Sequence, residues 1–157
     1  MRNSVDAQLD LDHFLPYRLS VLTNRVSGAI ARHYADRFGM TIPEWRAMAV
    51  LGQGDELSAR EVAQRTAMDK VQVSRAVASL VTAKRVQRQS DGNDGRVSRL
   101  SLTRKGRAIY DEIVPLALHL EELLLAPLSS AERGTLDALM LKLARQIEHL
   151  DAPLPLR

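Results

Sequence analysis

The chain has 157 residues, 45% of them hydrophobic and 26% charged, with a formal net charge of +3 and no cysteine. This composition is typical of a folded soluble protein and argues against a disordered chain. The absence of cysteine excludes disulfides, thiolate zinc sites and cysteine nucleophiles. Because no apolar run is long enough to span a membrane and the N-terminus lacks a signal-peptide core, we expect a cytoplasmic protein with no membrane partner.

After a polar arm over residues 1–12, a long helix is predicted from Phe14 to Phe38. Pro16 suits its first turn and Gly39 its end. An apolar stripe follows one side of this helix: Leu15, Leu19, Leu22, Val26, Ile30 and His33. Beside the stripe, one arginine recurs every seven residues: Arg18, Arg25 and Arg32. These arginines form either a solvated edge or the binding site of an anionic ligand.

A second helix is predicted over Ile42–Leu51. Thr41 and Glu44 form a capping box, because the hydroxyl can accept from the third backbone N–H of the helix while the carboxylate reaches back to the first residue. Trp45, the sole tryptophan, is expected to pack in the core, with a pocket wall as the alternative. Leu57 is predicted to begin a short strand that pairs with a later hairpin.

Two more capping boxes follow each other closely and predict a helix-turn-helix. Ser58 with Glu61 begins a short helix that ends at Arg65, and Asp69 with Gln72 begins the next helix. The three residues between the two helices leave room only for a tight turn, so the helices must pack at a steep angle.

The second helix of this motif has two different faces. One side is predicted to point inward: Val73, Ala76, Val77, Leu80 and Lys84. The other side and its flanks carry small or basic residues and no acidic one: Lys70, Val71, Gln72, Ser74, Arg75, Ala78, Ser79 and Thr82. Such a face suits the major groove of DNA, where bulk blocks entry and phosphates repel carboxylates. The alternative is an ordinary amphipathic helix with a small polar face.

A basic β-hairpin is predicted directly after this helix. Val86–Gln89 has the pattern of a strand, two Asp-Gly pairs within residues 91–95 mark a turn, and a second strand is predicted over 96–102. The ribbon has the form of a wing that carries three arginines: Arg88, Arg96 and Arg99.

Positive charge is concentrated in this part of the chain. Residues 58–107 contain twelve Lys or Arg against four Asp or Glu, a net charge of +8 in a chain whose total is +3. A basic block on a helix-turn-helix and a hairpin indicates nucleic-acid binding. A winged helix that grips an acidic protein is the alternative, but the small-residue face lacks the aromatic anchors expected at a protein interface.

Two amphipathic helices end the chain. The first is predicted from Thr103 to Leu125 with a kink at Pro115, and the second from a cap at Ser129 to about Leu150. Their leucine stripes exceed what the winged helix can cover, so we expect a homodimer with intertwined terminal helices. Its two-fold axis would place two recognition helices about 34 Å apart, over a palindromic operator in double-stranded DNA. A monomer that buries the stripes internally is the alternative.

These segments resemble the MarR family of bacterial winged-helix regulators over nearly the whole chain. The most specific match is Asp94-Gly95-Arg96 followed by LSLTRKG at 100–106, which is similar to that family's wing signature and the start of its long dimer helix. Residues 58–63 and 73–77 match its two motif helices. The resemblance implies a homodimer whose recognition helix enters the major groove, with Arg96 reaching the minor groove and Asp94 orienting it. Because redox-sensing members use cysteine, it also implies that this chain senses a small molecule.

Residues 15–22, 42–46 and 67–70 are similar to a narrower group that controls the catabolism of plant-derived aromatic acids, some of whose members respond to hydroxycinnamoyl-CoA thioesters. This likeness implies an aromatic acid or an aromatic acyl-CoA as effector, bound between the first two helices and the long helix. A ligand-independent repressor is the alternative. The candidate effector contacts are Tyr17, Arg18, Arg25, Trp45, Arg46 and Tyr110.

Together the patterns predict a mainly α-helical protein with a small β-wing, a winged helix-turn-helix on a helical dimerisation scaffold. Its predicted parts are an N-terminal dimerisation helix over 1–40, a DNA-binding domain over 41–103 and C-terminal dimerisation helices over 104–157. No catalytic set, metal-ligand spacing or cofactor motif occurs in the sequence, so we expect a transcriptional repressor rather than an enzyme. The candidate DNA contacts are Lys70, Val71, Gln72, Ser74, Arg75, Ala78, Arg88, Asp94, Arg96 and Arg99.

Overall fold

A computed structural model of the chain describes residues 9–90 and 98–150. In these ranges the elements follow the order α1 Leu15–Phe38, α2 Ile42–Leu51, α3 Ala59–Thr66, α4 Lys70–Thr82, β1 Val86–Ser90, β2 Ser98–Leu102, α5 Arg104–Leu125 and α6 Ser130–Leu150. This order confirms the predicted fold class, a mainly helical protein with a two-stranded wing. The chain divides into two compact units, Met1–Leu116 and Ala117–Arg157. The three functional segments predicted from the sequence are a different division and stay a prediction.

Side-chain caps determine where α2 and α3 begin. The Thr41 hydroxyl accepts the backbone N–H of Glu44 at 3.4 Å, and the Glu44 carboxylate accepts that of Thr41 at 2.6 Å. Ser58 and Glu61 repeat this exchange at the start of α3, at 3.2 and 2.7 Å. Both capping boxes predicted from the sequence are therefore confirmed. Gly39 ends α1 with a φ of +57°, a left-handed conformation that glycine adopts without steric cost.

A short turn joins α3 to α4 and completes the helix-turn-helix. Ala67 ends α3 in the left-handed conformation, with a φ of +52°. The Asp69 carboxylate then accepts the backbone N–H of Gln72 at 2.8 Å and begins α4. Among the described hydrogen bonds, none returns from the Gln72 side chain to Asp69, so this predicted capping box is only half formed. The exposed amide of Gln72 instead stays on the outer surface of α4.

The wing is an antiparallel ribbon of β1 and β2, in a register that pairs Val86 with Leu102. Leu57 joins β2 through two backbone hydrogen bonds with Leu100, at 2.8 and 3.1 Å. The strand predicted at Leu57 is thus confirmed as an isolated bridge that extends the sheet. The predicted turn between the strands lies within residues 91–97, outside the described part of the chain.

The hydrophobic core lies beneath α4 and the base of the wing. Its largest fully buried side chains come from both helices and strands: Tyr34, Met48, Leu51, Leu57, Val62, Val73, Val77, Leu80, Val86, Leu100 and Ile113. Burial of Val73, Ala76, Val77 and Leu80 confirms the predicted inner face of α4.

Lys84, predicted to face inward on α4, and His33, assigned to the apolar stripe of α1, are both exposed. Lys84 lies beyond the end of α4 and has a φ of +57°, so it does not continue the helical face. On α1, His33 is exposed, whereas Tyr34 is only 1% exposed. The buried side of α1 recurs every four residues, at Val26, Ile30 and Tyr34. This spacing keeps the three residues on one side, because four residues complete slightly more than one helical turn.

The second unit contains the end of α5 and all of α6. The carboxylate of Glu132 accepts the backbone N–H of Ser129 at 2.8 Å, which confirms the cap predicted for α6. No residue of α6 is buried. Among residues 9–90 and 98–150, no single helix is long and apolar enough to cross a membrane, although α5 and α6 counted together reach that length and composition.

Candidate functional site

The outer face of α4 is a surface of small and basic side chains. The six α4 residues predicted to contact DNA are all exposed: Lys70, Val71, Gln72, Ser74, Arg75 and Ala78. Val71 has 59% of its surface exposed, although an apolar side chain of this size is usually covered. No acidic residue occurs anywhere in α4. The face is thus free of the bulk and negative charge that would keep a helix away from DNA.

A basic cleft of about 340 Å³ lies beside this face, between α3, α4 and the wing. Three cations line it, one from each element: Arg60, Lys70 and Arg88. The hydroxyls of Ser74 and Ser98 also line the cleft, and Leu100 is part of its apolar lining. Sequence reasoning counted Arg60 only as part of the net charge. The signal that could have found it is its position in the first turn of α3, on the side opposite the buried Val62.

Structural bonds hold at least five of the twelve cations in residues 58–107. Arg65 pairs with Asp55, Arg99 pairs with Glu61, and three others donate to backbone carbonyls: Arg85 to Phe38, Lys105 to Ala83 and Arg107 to Gly52. Within the described residues, the exposed cations without such a partner are Arg60, Lys70, Arg75, Lys84, Arg88 and Arg104. The sequence count therefore gives the positive field of this region but overestimates the cations that can reach a ligand.

Arg99 is bonded to the start of α3 rather than extended into solvent. Its guanidinium donates to the Glu61 carboxylate at 2.9 Å. Glu61 also accepts the backbone N–H and the hydroxyl of Ser58, each at 2.7 Å. The Ser58 hydrogen bonds, and then the charge of Arg99, lower the pKa of Glu61, so the carboxylate is ionised at neutral pH. The other two wing residues predicted to contact DNA, Asp94 and Arg96, lie outside the described residues.

Three aromatic rings form a stack where α1, α2 and α5 meet. The Trp45 ring lies 5.7 Å from that of Tyr34 and 6.0 Å from that of Tyr110, between ring centroids. Arg107 lies over the Tyr110 ring at 5.1 Å, and Arg46 donates to the Ser27 hydroxyl at 3.1 Å. Burial raises the pKa of Tyr34 to about 12, an effect that the charge of Arg46 partly offsets, so its hydroxyl stays neutral.

The structure separates the predicted effector contacts into two groups. Trp45 and Tyr110 belong to the aromatic stack, with Arg46 beside it. The other three, Tyr17, Arg18 and Arg25, line an open groove of about 560 Å³ along the N-terminal half of α1. No described contact joins the two groups.

Sequence reasoning missed three residues of the aromatic stack and its rim: Tyr34, Ser27 and Arg107. Tyr34 could have been found from the four-residue steps along α1. The contacts of Ser27 and Arg107 depend on how distant elements pack, and no local pattern indicates them.

Glu44 is a buried carboxylate that links α2 to the back of α4. Only 7% of its surface is exposed. Burial alone would raise the pKa of Glu44, but hydrogen bonds from Ser79 and Thr41 and the charge of Arg85 outweigh it and lower the pKa. Arg85 in turn donates to the carbonyl of Phe38, the last residue of α1. The ends of α1, α2 and α4 thus meet at one polar junction.

A family model described as MarR family matches residues 38–97, which span the helix-turn-helix and part of the wing. The fold matches a MarR/EmrR family transcriptional regulator from Acinetobacter sp. ADP1 with a TM-score of 0.82 and 26% identity, over 90% of this chain and 99% of that one. The chain belongs to the MarR family. MarR-family membership makes it a transcriptional regulator with a DNA-binding winged helix rather than an enzyme.

Two further solved structures match most of the chain. A protein from Pseudomonas aeruginosa, described as a probable transcriptional regulator, is 30% identical with a TM-score of 0.71, over 85% of this chain and 99% of that one. BpsR from Bordetella bronchiseptica, whose DNA binding is regulated by 6-hydroxynicotinic acid, is 23% identical with a TM-score of 0.77, over 87% of this chain and 97% of that one. No protein of curated function matches the chain in sequence.

Proposed function

We propose that this MarR-family protein is a homodimeric repressor of an aromatic-acid catabolic operon. It binds a palindromic operator and leaves it when a small anionic aromatic acid, or the CoA thioester of one, binds. The observation that carries the DNA-binding part is the outer face of α4, which is exposed, basic and free of carboxylates. The effector part rests on the aromatic stack and the arginines beside it.

On DNA, α4 lies in the major groove with its outer face toward the base edges. Arg75 is the one cation in the middle of this face, and a guanidinium can donate two hydrogen bonds to a guanine. Val71 and Ala78 offer small apolar contacts to thymine methyl groups. Lys70 and Arg88 line the basic cleft and contact phosphates, which add affinity without sequence preference. Arg96 enters the minor groove, as the family resemblance implies.

Dimer formation accounts for the apolar surface that one chain leaves uncovered. Apart from Val71, every large apolar side chain that is strongly exposed among the described residues lies within 9–22 or 118–150. These segments form the arm and first turns of α1, the end of α5, and α6. A two-fold axis that buries them against a second copy presents two α4 helices about 34 Å apart, one turn of duplex DNA.

The aromatic stack is the proposed effector site. Trp45 and Tyr110 offer ring faces, and Arg46 and Arg107 offer positive charge at the rim for a carboxylate. BpsR, a protein of the same fold, is regulated by 6-hydroxynicotinic acid, an anionic aromatic compound. To release DNA, the effector must bind one dimer shape more tightly than the other.

Operator binding by Arg75→Ala tests the DNA assignment. We expect the variant to lose about 1–3 kcal/mol of binding free energy and to discriminate less between operator and mutated operator, because a base contact is lost. Both the binding free energy and this discrimination are measured by fluorescence anisotropy, with a duplex that the wild-type protein has selected from random DNA. Arg32→Ala is the matched control, since Arg32 is an exposed arginine on α1. The assignment is refuted if Arg75→Ala and the double variant Arg75→Ala/Arg96→Ala both bind the operator as tightly as the wild type does.

Calorimetry with benzoic, hydroxynicotinic and hydroxycinnamic acids and hydroxycinnamoyl-CoA tests the effector. We expect binding of at least one of these compounds, weakened by Arg46→Ala but not by Arg32→Ala, together with release of the operator. If none of them binds to the wild-type protein, the ligand-independent repressor becomes the better account.

A further inference from the structure

The wing needs a support beyond its own hydrogen bonds. A two-stranded ribbon is marginally stable by itself in water. Its base is anchored, because Val86 and Leu100 are buried and Leu57 pairs with Leu100. Toward the tip, Ser90 and Ser98 are exposed on both strands and add no buried anchor. The orientation of the outer ends of β1 and β2, at Ser90 and Ser98, therefore depends on what holds β2 between Leu100 and Ser98.

Arg99 occupies that position and is bonded to α3. The distance from its guanidinium to the Glu61 carboxylate is 2.9 Å, and the two side chains are only 34% and 42% exposed. Glu61 is already fixed by its two hydrogen bonds with Ser58. The pair therefore avoids much of the entropy loss that makes most surface ion pairs weak, because one partner is ordered before the other arrives.

Glu61 is unusual because it is a negatively charged residue beside the basic cleft. It is the only acidic residue of α3, and its neighbour Arg60 lines the basic cleft. A carboxylate close to phosphates weakens DNA binding through repulsion unless it serves another purpose. We propose that Glu61 is a positioning residue, which holds the wing in its DNA-binding orientation through Arg99. The inference rests on the proposed DNA binding and assigns Arg99 to this bond instead of to a phosphate or base.

The test uses Glu61→Gln, which keeps a residue that can complete a capping box and removes only the charge. Electrostatics alone predicts tighter DNA binding for this variant, because an anion is lost. We expect the opposite, a roughly two- to five-fold weaker affinity for the selected operator, the range that one ion pair of this kind provides. The salt dependence of binding should also become shallower, although no cation was removed, because phosphate contacts of the wing are lost.

Two controls separate the wing from the helix cap and from the fold. Glu132→Gln makes the same change in the capping box of α6, whose carboxylate is bonded to Ser129 and has no arginine among its described contacts, and should leave affinity unchanged. The double variant Glu61→Gln/Arg99→Gln should bind no more weakly than Arg99→Gln alone, because both changes break the same bond. Thermal unfolding of each variant checks that the fold is kept.

Each outcome bears on a different claim. Unchanged or tighter operator binding by Glu61→Gln, or additive losses in the double variant, would overturn the positioning role. If Arg75→Ala weakens binding in the same assay, the proposed function stands even when the positioning role fails. If neither the wild-type protein nor any variant binds the selected duplex, the proposed function fails as well.

Discussion

At the scale of single residues, Gly106 shows how closely α5 approaches the segment after α4. A Cβ added at Gly106 would lie 1.9 Å from the carbonyl oxygen of Arg85, well inside van der Waals contact. The same carbonyl accepts the backbone N–H of Thr103 at 3.0 Å, and the Thr103 hydroxyl accepts the N–H of Gly106, also at 3.0 Å. A side chain at this position would push the start of α5 off the end of α4.

We expect Gly106→Ala to lower the free energy of unfolding by on the order of 2–3 kcal/mol, because the clash is with backbone that cannot rotate away. Denaturant unfolding followed by circular dichroism measures the loss. Gly28→Ala is the matched control within α1, since a Cβ there meets no atom within 4 Å, and it should be neutral or slightly stabilising. Equal stability of Gly106→Ala and the wild type would contradict the packing described here.

Individual side-chain roles were the least predictable feature of the sequence. Periodicity put His33 on the apolar stripe of α1 and missed the buried Tyr34, because a shift of one residue along a helix rotates a side chain by about 100°. Arg99 was predicted to contact DNA because it is a basic residue on the wing, and its bond to Glu61 is a contact that the sequence did not indicate. The sequence carries no local signal for a bond between residues on separate elements.

At the scale of secondary-structure elements, prediction succeeded because the signals are local. The boxes that begin α2, α3 and α6 each consist of a hydroxyl residue followed three positions later by glutamate. The outer face of α4 followed from the same helical geometry and is exposed as expected. The candidate effector residues needed the packing of α1 against α2 and α5, which no single element encodes, and the structure divides them between two places.

The capping box that begins α2 makes the free energy of unfolding depend on pH. Hydrogen bonds and Arg85 lower the pKa of Glu44 in the folded state. A carboxylate whose pKa is lower in the folded than in the unfolded protein stabilises the fold at pH values above the unfolded pKa, which is about 4.3 for glutamate. This stabilisation is lost as the pH falls through the folded pKa. We therefore expect the wild type to be more stable than Glu44→Gln at pH 7, with a difference that shrinks below about pH 4.

Denaturant unfolding of both proteins at a series of pH values measures this difference. Comparing the two proteins removes the contribution of the other carboxylates, which both share. A difference that stayed constant between neutral and acidic pH would show that the charge of Glu44 has no part in stabilising the junction of α1, α2 and α4.

At the scale of the whole molecule, the uncovered apolar surface calls for a partner. On α6, Leu139 and Met140 are 52% and 61% exposed, and neighbouring leucines are similarly open. Exposed apolar patches of this extent are rare on monomers and mark interfaces. The sequence leads to the same expectation of a homodimer, because the leucine stripes of its terminal helices exceed the area that a winged helix can bury. The sequence does not indicate how two copies would pair, since pairing depends on surface shape.

We expect Leu139→Glu to convert a dimer into monomers and to abolish high-affinity operator binding, because a charge buried in an apolar interface is costly. Sedimentation velocity measures the oligomeric state. Val71→Glu is the crossed control: its exposed apolar side chain lies on α4, so it should abolish DNA binding and leave the dimer intact. A wild-type protein that sediments as a monomer would refute the proposed assembly.

Selection from random duplex DNA, followed by sequencing, shows whether two copies of α4 bind one duplex together. We expect enrichment of a palindrome whose half-sites are about 10 base pairs apart from centre to centre, the spacing set by two α4 helices on one side of the duplex. Arg75→Ala should enrich the palindrome less strongly. If the wild-type protein enriches no sequence, or only a motif without two-fold symmetry, the proposed binding of a dimer to a palindromic operator is wrong.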